Sequence, residues 1–293
     1  MRERELRLAL VCYGGISLAV YMHGVTKEVW RLARASRAHH DGAAESAGVD
    51  AVYRDLLREL EADGAARLRV LPDIVAGASA GGINGIFLAQ AISTGQSLEP
   101  LTDLWLAHAD VEALIDPAKA PSSRFAKAWA LPLAWMAGRG GEEVDADPVT
   151  RDEVRAKLSR LIRSRWFEPP FAGAAFSALL LDALDAMAAA SRGPRLLPDG
   201  QPLDLFVTVT DFTGHPERLR LNSPPEVIET EHRVVVSFSD DGHAGDTLAP
   251  LPELVFAARA TSSFPGAFPP FRVGELDGLL KERRRAWPGR RAF

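Results

Sequence analysis

The chain carries one cysteine, Cys12, in 293 residues. A single thiol excludes an internal disulfide framework and any zinc or iron–sulfur centre built from several cysteines. Excess positive charge is also missing. Lys and Arg number 34 against 39 Asp and Glu, a net charge of −5, which argues against general nucleic-acid binding. No uninterrupted apolar stretch reaches the ~18–20 residues of a membrane span. The nearest, Phe171 to Met187, is cut by Asp182 and Asp185. The first residues, Met1-Arg-Glu-Arg-Glu, are too charged for a secretory signal. No His-Glu-x-x-His occurs, no Gly-Lys-[Ser/Thr] follows a glycine loop, and the G-x-G-x-x-G spacing is absent. Neither a metal nor a nucleotide cofactor is therefore expected. Repeats and low-complexity tracts are lacking as well. These absences predict a cytoplasmic globular protein whose membrane contact, if any, is peripheral.

What is present is an α/β pattern. Leu6 to Cys12 reads as a buried strand closed by Tyr13-Gly14-Gly15. Ser17 sits at a helix N-cap position, and proline-free sequence follows to about Arg34. Asp41 to Gly48 reads as a loop, and Val52 to Leu60 has helical spacing. Val70 to Ala76 is a second strand candidate, followed at once by Gly77-Ala78-Ser79-Ala80-Gly81-Gly82 and an apolar helix over Ile83 to Ile92. Strand, glycine turn and helix thus occur twice, which predicts a mostly parallel sheet. The middle, residues 98–191, reads as a helical insertion. Strand signals return at Leu203–Thr210, Arg218–Leu221 and Arg233–Phe238, and a helix is expected over Leu251 to Arg259.

Gly77-Ala78-Ser79-Ala80-Gly81 fits G-x-S-x-G. A serine nucleophile on such a turn needs small neighbours, because a larger Cβ substituent collides there. The following helix aims free N–H groups and its positive end at the same point. The strand before and the helix after supply the context the motif requires. Ser79 is therefore the candidate nucleophile, and Gly77 and Gly81 are the glycines of its elbow. Gly14 and Gly15 are the candidate oxyanion hole, since adjacent glycines after a strand leave backbone N–H donors for a tetrahedral intermediate. The plain alternative for each turn is close strand–helix packing without a ligand.

Three blocks, Tyr13 to Ala19, Gly77 to Gly85 and Ala258 to Pro270, come in the order found in the patatin-like phospholipases. The chain resembles that family from about residue 6 to 275, and most closely its large actinobacterial members. The resemblance implies a three-layer patatin-like fold in one domain over 1–293. It also implies a lipid acyl hydrolase with a lipid or acyl-ester substrate, working by a Ser–Asp dyad. Ser79 matches the nucleophile, and Gly14 and Gly15 match the oxyanion loop. Two features depart from the pattern. Ile16 and Ser17 replace a third glycine and a basic residue. The dyad aspartate normally follows the Ala-Arg-Ala-Thr-Ser block in an Asp-Gly-[Gly/Ala] motif, and here the only Asp-Gly in that region is Asp277-Gly278, inside a helix-like segment. The aspartate is therefore expected past Phe293, with this chain a piece of a longer protein. Without it, the elbow would bind acyl groups as a non-catalytic lipid-binding or scaffold domain.

Other side chains have bland readings beside functional ones. His243, after Ser239-Asp240-Asp241-Gly242, is the base candidate if the chain were an ordinary α/β-hydrolase esterase; a surface turn explains it too. Asp211 ends a strand and fits a turn equally well. The His39-His40 pair faces no evident third ligand. Trp129 to Met136 and Trp166-Phe167 are apolar stretches suited to lipid or to core. The tail Arg283 to Arg291 is a candidate for anionic headgroups or a solvated helix end.

Overall fold

The computed structural model describes residues 3–15, 18–42, 47–64, 66–108, 172–243, 245, 247–265 and 268–292. Its sheet has four strands in the order β1-β2-β3-β4: β1 (Glu3–Cys12), β2 (Arg67–Ala78), β3 (Asp204–Arg220) and β4 (Glu226–Ser239). The pairings β1–β2 and β2–β3 are parallel, and β3–β4 is antiparallel. The mostly parallel α/β sheet expected from the sequence is therefore what forms. The register of β1 on β2 slips once, where Leu8 faces Pro72 and Ala9 faces Ile74, so Asp73 is the extra residue of a bulge. Proline has no N–H to give to a ladder, and a bulge is where a strand tolerates one.

Seven α-helices are described: α1 (Ala19–Asp41), α2 (Val49–Ala62), α3 (Ala80–Thr94), α4 (Glu99–His108), α5 (Gly173–Ala189), α6 (Leu251–Thr261) and α7 (Val273–Glu282). α3 is apolar all round, and every residue in it is buried. Such a helix has no wet face and belongs inside a core. It lies directly on the sheet at Gly85, where an added Cβ would stand 3.2 Å from Val75 Cγ1 and 3.9 Å from Leu205 Cδ1. α1, α6 and the sheet surround it, and α5 packs on α4, α6 and α7. The core joins Val75, Ile86, Phe87, Leu88, Leu181, Leu184, Leu205, Val207 and Leu254 in one cluster.

Some expectations need adjusting. The loop expected from Asp41 starts one residue later, because α1 runs through Asp41 and stops at Gly42 in the left-handed conformation, φ 63°. The strand signals at Leu203–Thr210 and Arg218–Leu221 are one strand, β3, interrupted by a bulge between Thr210 and His215. Beyond Thr208 this strand pairs only with β4. A two-stranded ribbon wet on both faces carries no in–out alternation, so its middle gives no strand signal. Within the expected insertion, α4 and α5 are helices. Residues 109–171, including Trp129–Met136 and Trp166–Phe167, lie outside the described residues.

Candidate active site

Ser79 sits between the end of β2 and the start of α3. Its backbone has φ 53° and ψ −127°. Only one other non-glycine residue among those described, Arg284, has positive φ. A side-chain-bearing residue held there costs of order 1–3 kcal/mol and persists only where its surroundings over-determine it. The surroundings do so from three sides. An added Cβ on Gly77 would meet the Gly81 carbonyl oxygen at 2.5 Å, so the turn closes on itself. A Cβ on Gly81 would overlap the Cys12 carbonyl oxygen and stand 2.9 Å from that of Tyr13, so the turn is pressed against the end of β1. A Cβ on Gly82 would lie 2.8 Å from Thr261 Cγ2, so the end of α6 closes the third side.

Hydrogen bonds complete the frame. The Ser79 N–H donates to Thr261 Oγ1 at 2.8 Å, and that hydroxyl donates to the Thr208 carbonyl at 2.7 Å. Asn84 Nδ2 donates to the Ala19 carbonyl at 3.1 Å, tying α3 to the first turn of α1. The Ser79 carbonyl accepts from Ile83 N–H at 3.0 Å, which starts α3 directly after the serine.

The first glycine turn stands against the serine. A Cβ on Gly14 would lie 2.5 Å from Ser79 Cβ and 3.3 Å from Ser79 Oγ. Among the described residues no acceptor engages the N–H of Gly14 or Gly15. The structure thus brings Gly14, Gly77, Ser79 and Gly81 together; Gly15 follows in the same turn, and its added Cβ would meet only the Leu18 side chain. Ile16 and Ser17 lie outside the described residues.

Ser79 opens onto a cleft of about 840 Å³. Its lining includes apolar Val234, Val235, Phe264 and Pro265 and polar or charged His215, Glu217, Glu231 and Arg233. Glu231 and Arg233 are paired at 2.8 Å, which holds the Glu231 carboxyl well below the ordinary carboxylate range. Phe212, on the bulge between cleft-lining Thr210 and His215, is 93% exposed.

None of the remaining candidates is among the described residues lining this cleft. Asp277 lies on α7, where Arg290 grips its carboxylate at 2.7 Å and lowers its pKa. Asp211 caps its own turn by accepting from Thr213 N–H at 3.0 Å. His243 is exposed in a turn where its N–H donates to Asp241. His39 faces Glu61, and His40 hydrogen-bonds the Leu68 carbonyl. Sequence reasoning passed over Thr208 and Thr261. Their only signal was that Thr261 sits in the Ala-Arg-Ala-Thr-Ser block, which by itself assigns no partner.

A strained serine between a parallel strand and a buried helix, faced by the glycine turn of the neighbouring strand, is the arrangement of an α/β fold with a serine elbow. The chain belongs to the patatin-like phospholipase family, whose model matches residues 10–282. It is also similar to a protein of Mycobacterium tuberculosis named only as an uncharacterized membrane protein, with 30% identity over 291 residues. That match covers 95% of this chain and 22% of the relative, so the chain spans about a fifth of the relative's length. No solved structure matches the chain. Among the described residues no helix is long and apolar enough to cross a membrane.

Proposed function

We propose that this chain carries the catalytic serine of a lipid acyl hydrolase that cleaves carboxylic esters through an acyl-Ser79 intermediate. Ser79 Oγ attacks the ester carbonyl while a carboxylate base takes its proton. Negative charge on the former carbonyl oxygen falls to the amides of Gly14 and Gly15, aided by the N-terminal end of α3. Collapse expels the alcohol with that proton, and water then frees the acid by the same steps in reverse. The observation that carries this reading is the contact of the two turns: Gly14 has room for no side chain because Ser79 Cβ and Oγ occupy that space. Loss of one oxyanion donor typically costs about 10²–10³ in rate, so so close an approach of backbone donors to a serine is chemically consequential. The lipid character follows from the family and from the rim. Cleft-lining Phe264 is 53% exposed, and Phe212, between cleft-lining Thr210 and His215, is 93% exposed; exposed apolar side chains at a cleft suit an interface where acyl chains enter.

A second reading has its own observation. Among the described residues lining the cleft there is no aspartate, and Asp277 is held by Arg290. Without a base of the dyad type, the site would bind lipid and turn over little.

The test is Ser79→Ala against short-chain p-nitrophenyl esters and phosphatidylcholine vesicles, with a fluorophosphonate probe on the unaltered protein. Labelling of Ser79 and a fall of about 10³-fold or more in hydrolysis are expected. Hydrolysis indifferent to the substitution removes the enzymatic reading. Vesicle binding with neither labelling nor hydrolysis selects the second.

A further inference from the structure

We infer that Thr261 is the positioning residue of the serine elbow, its hydroxyl extending the sheet's hydrogen-bond ladder one step so that Ser79 stays in its left-handed backbone conformation. The catalytic part of this inference rests on the reading of Ser79 given above; the backbone part does not.

The parallel pairing of β2 with β3 ends at Ala78 opposite Thr208. The next residue, Ser79, turns to φ 53° and leaves the ladder. Its N–H and the Thr208 carbonyl would then be a donor and an acceptor without partners at the edge of the core. Thr261 Oγ1 stands between them, accepting from the Ser79 N–H at 2.8 Å and donating to the Thr208 carbonyl at 2.7 Å. One atom both accepts and donates here, which is what a hydroxyl oxygen can do. The Thr261 methyl has a task as well. It packs on Gly82, where a Cβ would stand only 2.8 Å away, and that contact fixes the rotamer that aims the hydroxyl.

The hydroxyl is mounted on a firm base. Arg259, two residues before Thr261 on α6 and so on the other side of that helix, is wholly buried. Its Nε donates to Glu275 at 3.1 Å, its Nη1 to Ser263 Oγ at 2.8 Å and its Nη2 to the Pro269 carbonyl at 3.1 Å. Ser177 of α5 donates to the same Glu275 oxygen at 2.5 Å. The end of α6 is thereby locked to α5 and α7, and the position of Thr261 is inherited by the serine. A nucleophile held by its own main-chain amide is aimed without its Oγ being engaged, which leaves that oxygen free for substrate.

The experiment compares Thr261→Val, Thr261→Ala and Thr261→Ser with the unaltered chain in two readouts. The first is amide hydrogen exchange at Ser79. Valine keeps the shape and removes both hydrogen bonds, so exchange at Ser79 is expected to quicken about tenfold or more, while Thr261→Ser retains most of the protection. The second is ester hydrolysis. A misplacement of about 1 Å costs about 10²-fold, so Thr261→Val is expected to lose about that much in kcat with KM little changed, and the serine variant to recover most of it. Thr261→Ala replaces the valine variant if the latter does not fold. An unaltered Ser79 amide together with unaltered kcat in the hydroxyl-free variants overturns the inference. If the unaltered chain neither hydrolyses esters nor reacts with fluorophosphonate, the nucleophile reading fails, and the exchange readout still decides the role of Thr261.

Discussion

The chain makes the same local motif twice and puts it to different use. In the first unit β1 leads through Gly14-Gly15 into α1; in the second β2 leads through Gly77 to Gly82 into α3. β1 is an edge strand with mostly exposed residues, and α1 is a mixed helix with polar and apolar faces. β2 has a neighbour on each side, and α3 is buried throughout. Among the described residues of the two units, positive φ on a side-chain-bearing residue occurs at Ser79. The difference shows what strain requires. A glycine turn at the rim of a sheet can bend, but it has nothing to hold an unfavourable backbone against. In the centre, the strands, α6 and the first turn itself supply that restraint.

Gly81→Ala is the largest blow to this arrangement, because the new methyl overlaps the Cys12 carbonyl oxygen and forces the two units apart. A loss of about 3 kcal/mol or more is expected in urea unfolding, up to failure to fold. Gly14→Ala is the next. Its φ is not in the left-handed region, so the backbone accepts alanine, while the methyl would meet Ser79 Cβ at 2.5 Å. The expected outcome is a fall of about 10²-fold in fluorophosphonate labelling, with a loss of about 1–3 kcal/mol in urea unfolding, less than for Gly81→Ala.

A third test reads the first unit alone. His23, on α1, is 4% exposed and bonded to Thr102 Oγ1 at 3.1 Å. Burial, and then the nearby Lys27, lower its pKa from 6.5 to about 4. Unfolded, this imidazole takes up a proton near its ordinary value of 6.5. The stability it contributes is therefore whole above pH 6.5 and is lost as pH falls through about 4. Unfolding curves at intervals across that window should show a slope that His23→Gln reduces by about one proton. The smallest effect belongs to Gly15→Ala. The atoms nearest the added methyl belong to the Leu18 side chain, the first at 2.6 Å, and Leu18 is 40% exposed and can swing away. A change within about 1 kcal/mol and near-normal labelling are expected. A large effect here would mean that the first unit is as tightly constrained as the second.

The parts of this arrangement that are local in the chain were legible beforehand. Val70 to Ala76, the glycines and the run from Ile83 announce a strand, a tight turn and a buried helix within a short window. The resemblance of Gly14-Gly15 to an oxyanion loop was legible too, because the family pattern places it after the first strand. Thr261 was not, since its partner lies 182 positions away and a threonine near a helix end has many ordinary uses. The ribbon beyond Thr210 reads as separate strands for a related reason: its pairing comes from β4 rather than from a buried face. Asp277 reads as part of a surface helix, and its place on α7, paired with Arg290, agrees with that reading.

The long reach from Thr261 back to Ser79 also bears on biosynthesis. Synthesis runs from the N-terminus at about 5–20 residues per second, so the threonine is made roughly 10–40 s after the serine it restrains. Through that interval the Ser79 N–H lacks the hydroxyl it donates to in the folded chain. In the role inferred for Thr261, the Ser79 turn is set by a residue the ribosome delivers only when most of this sequence has been translated.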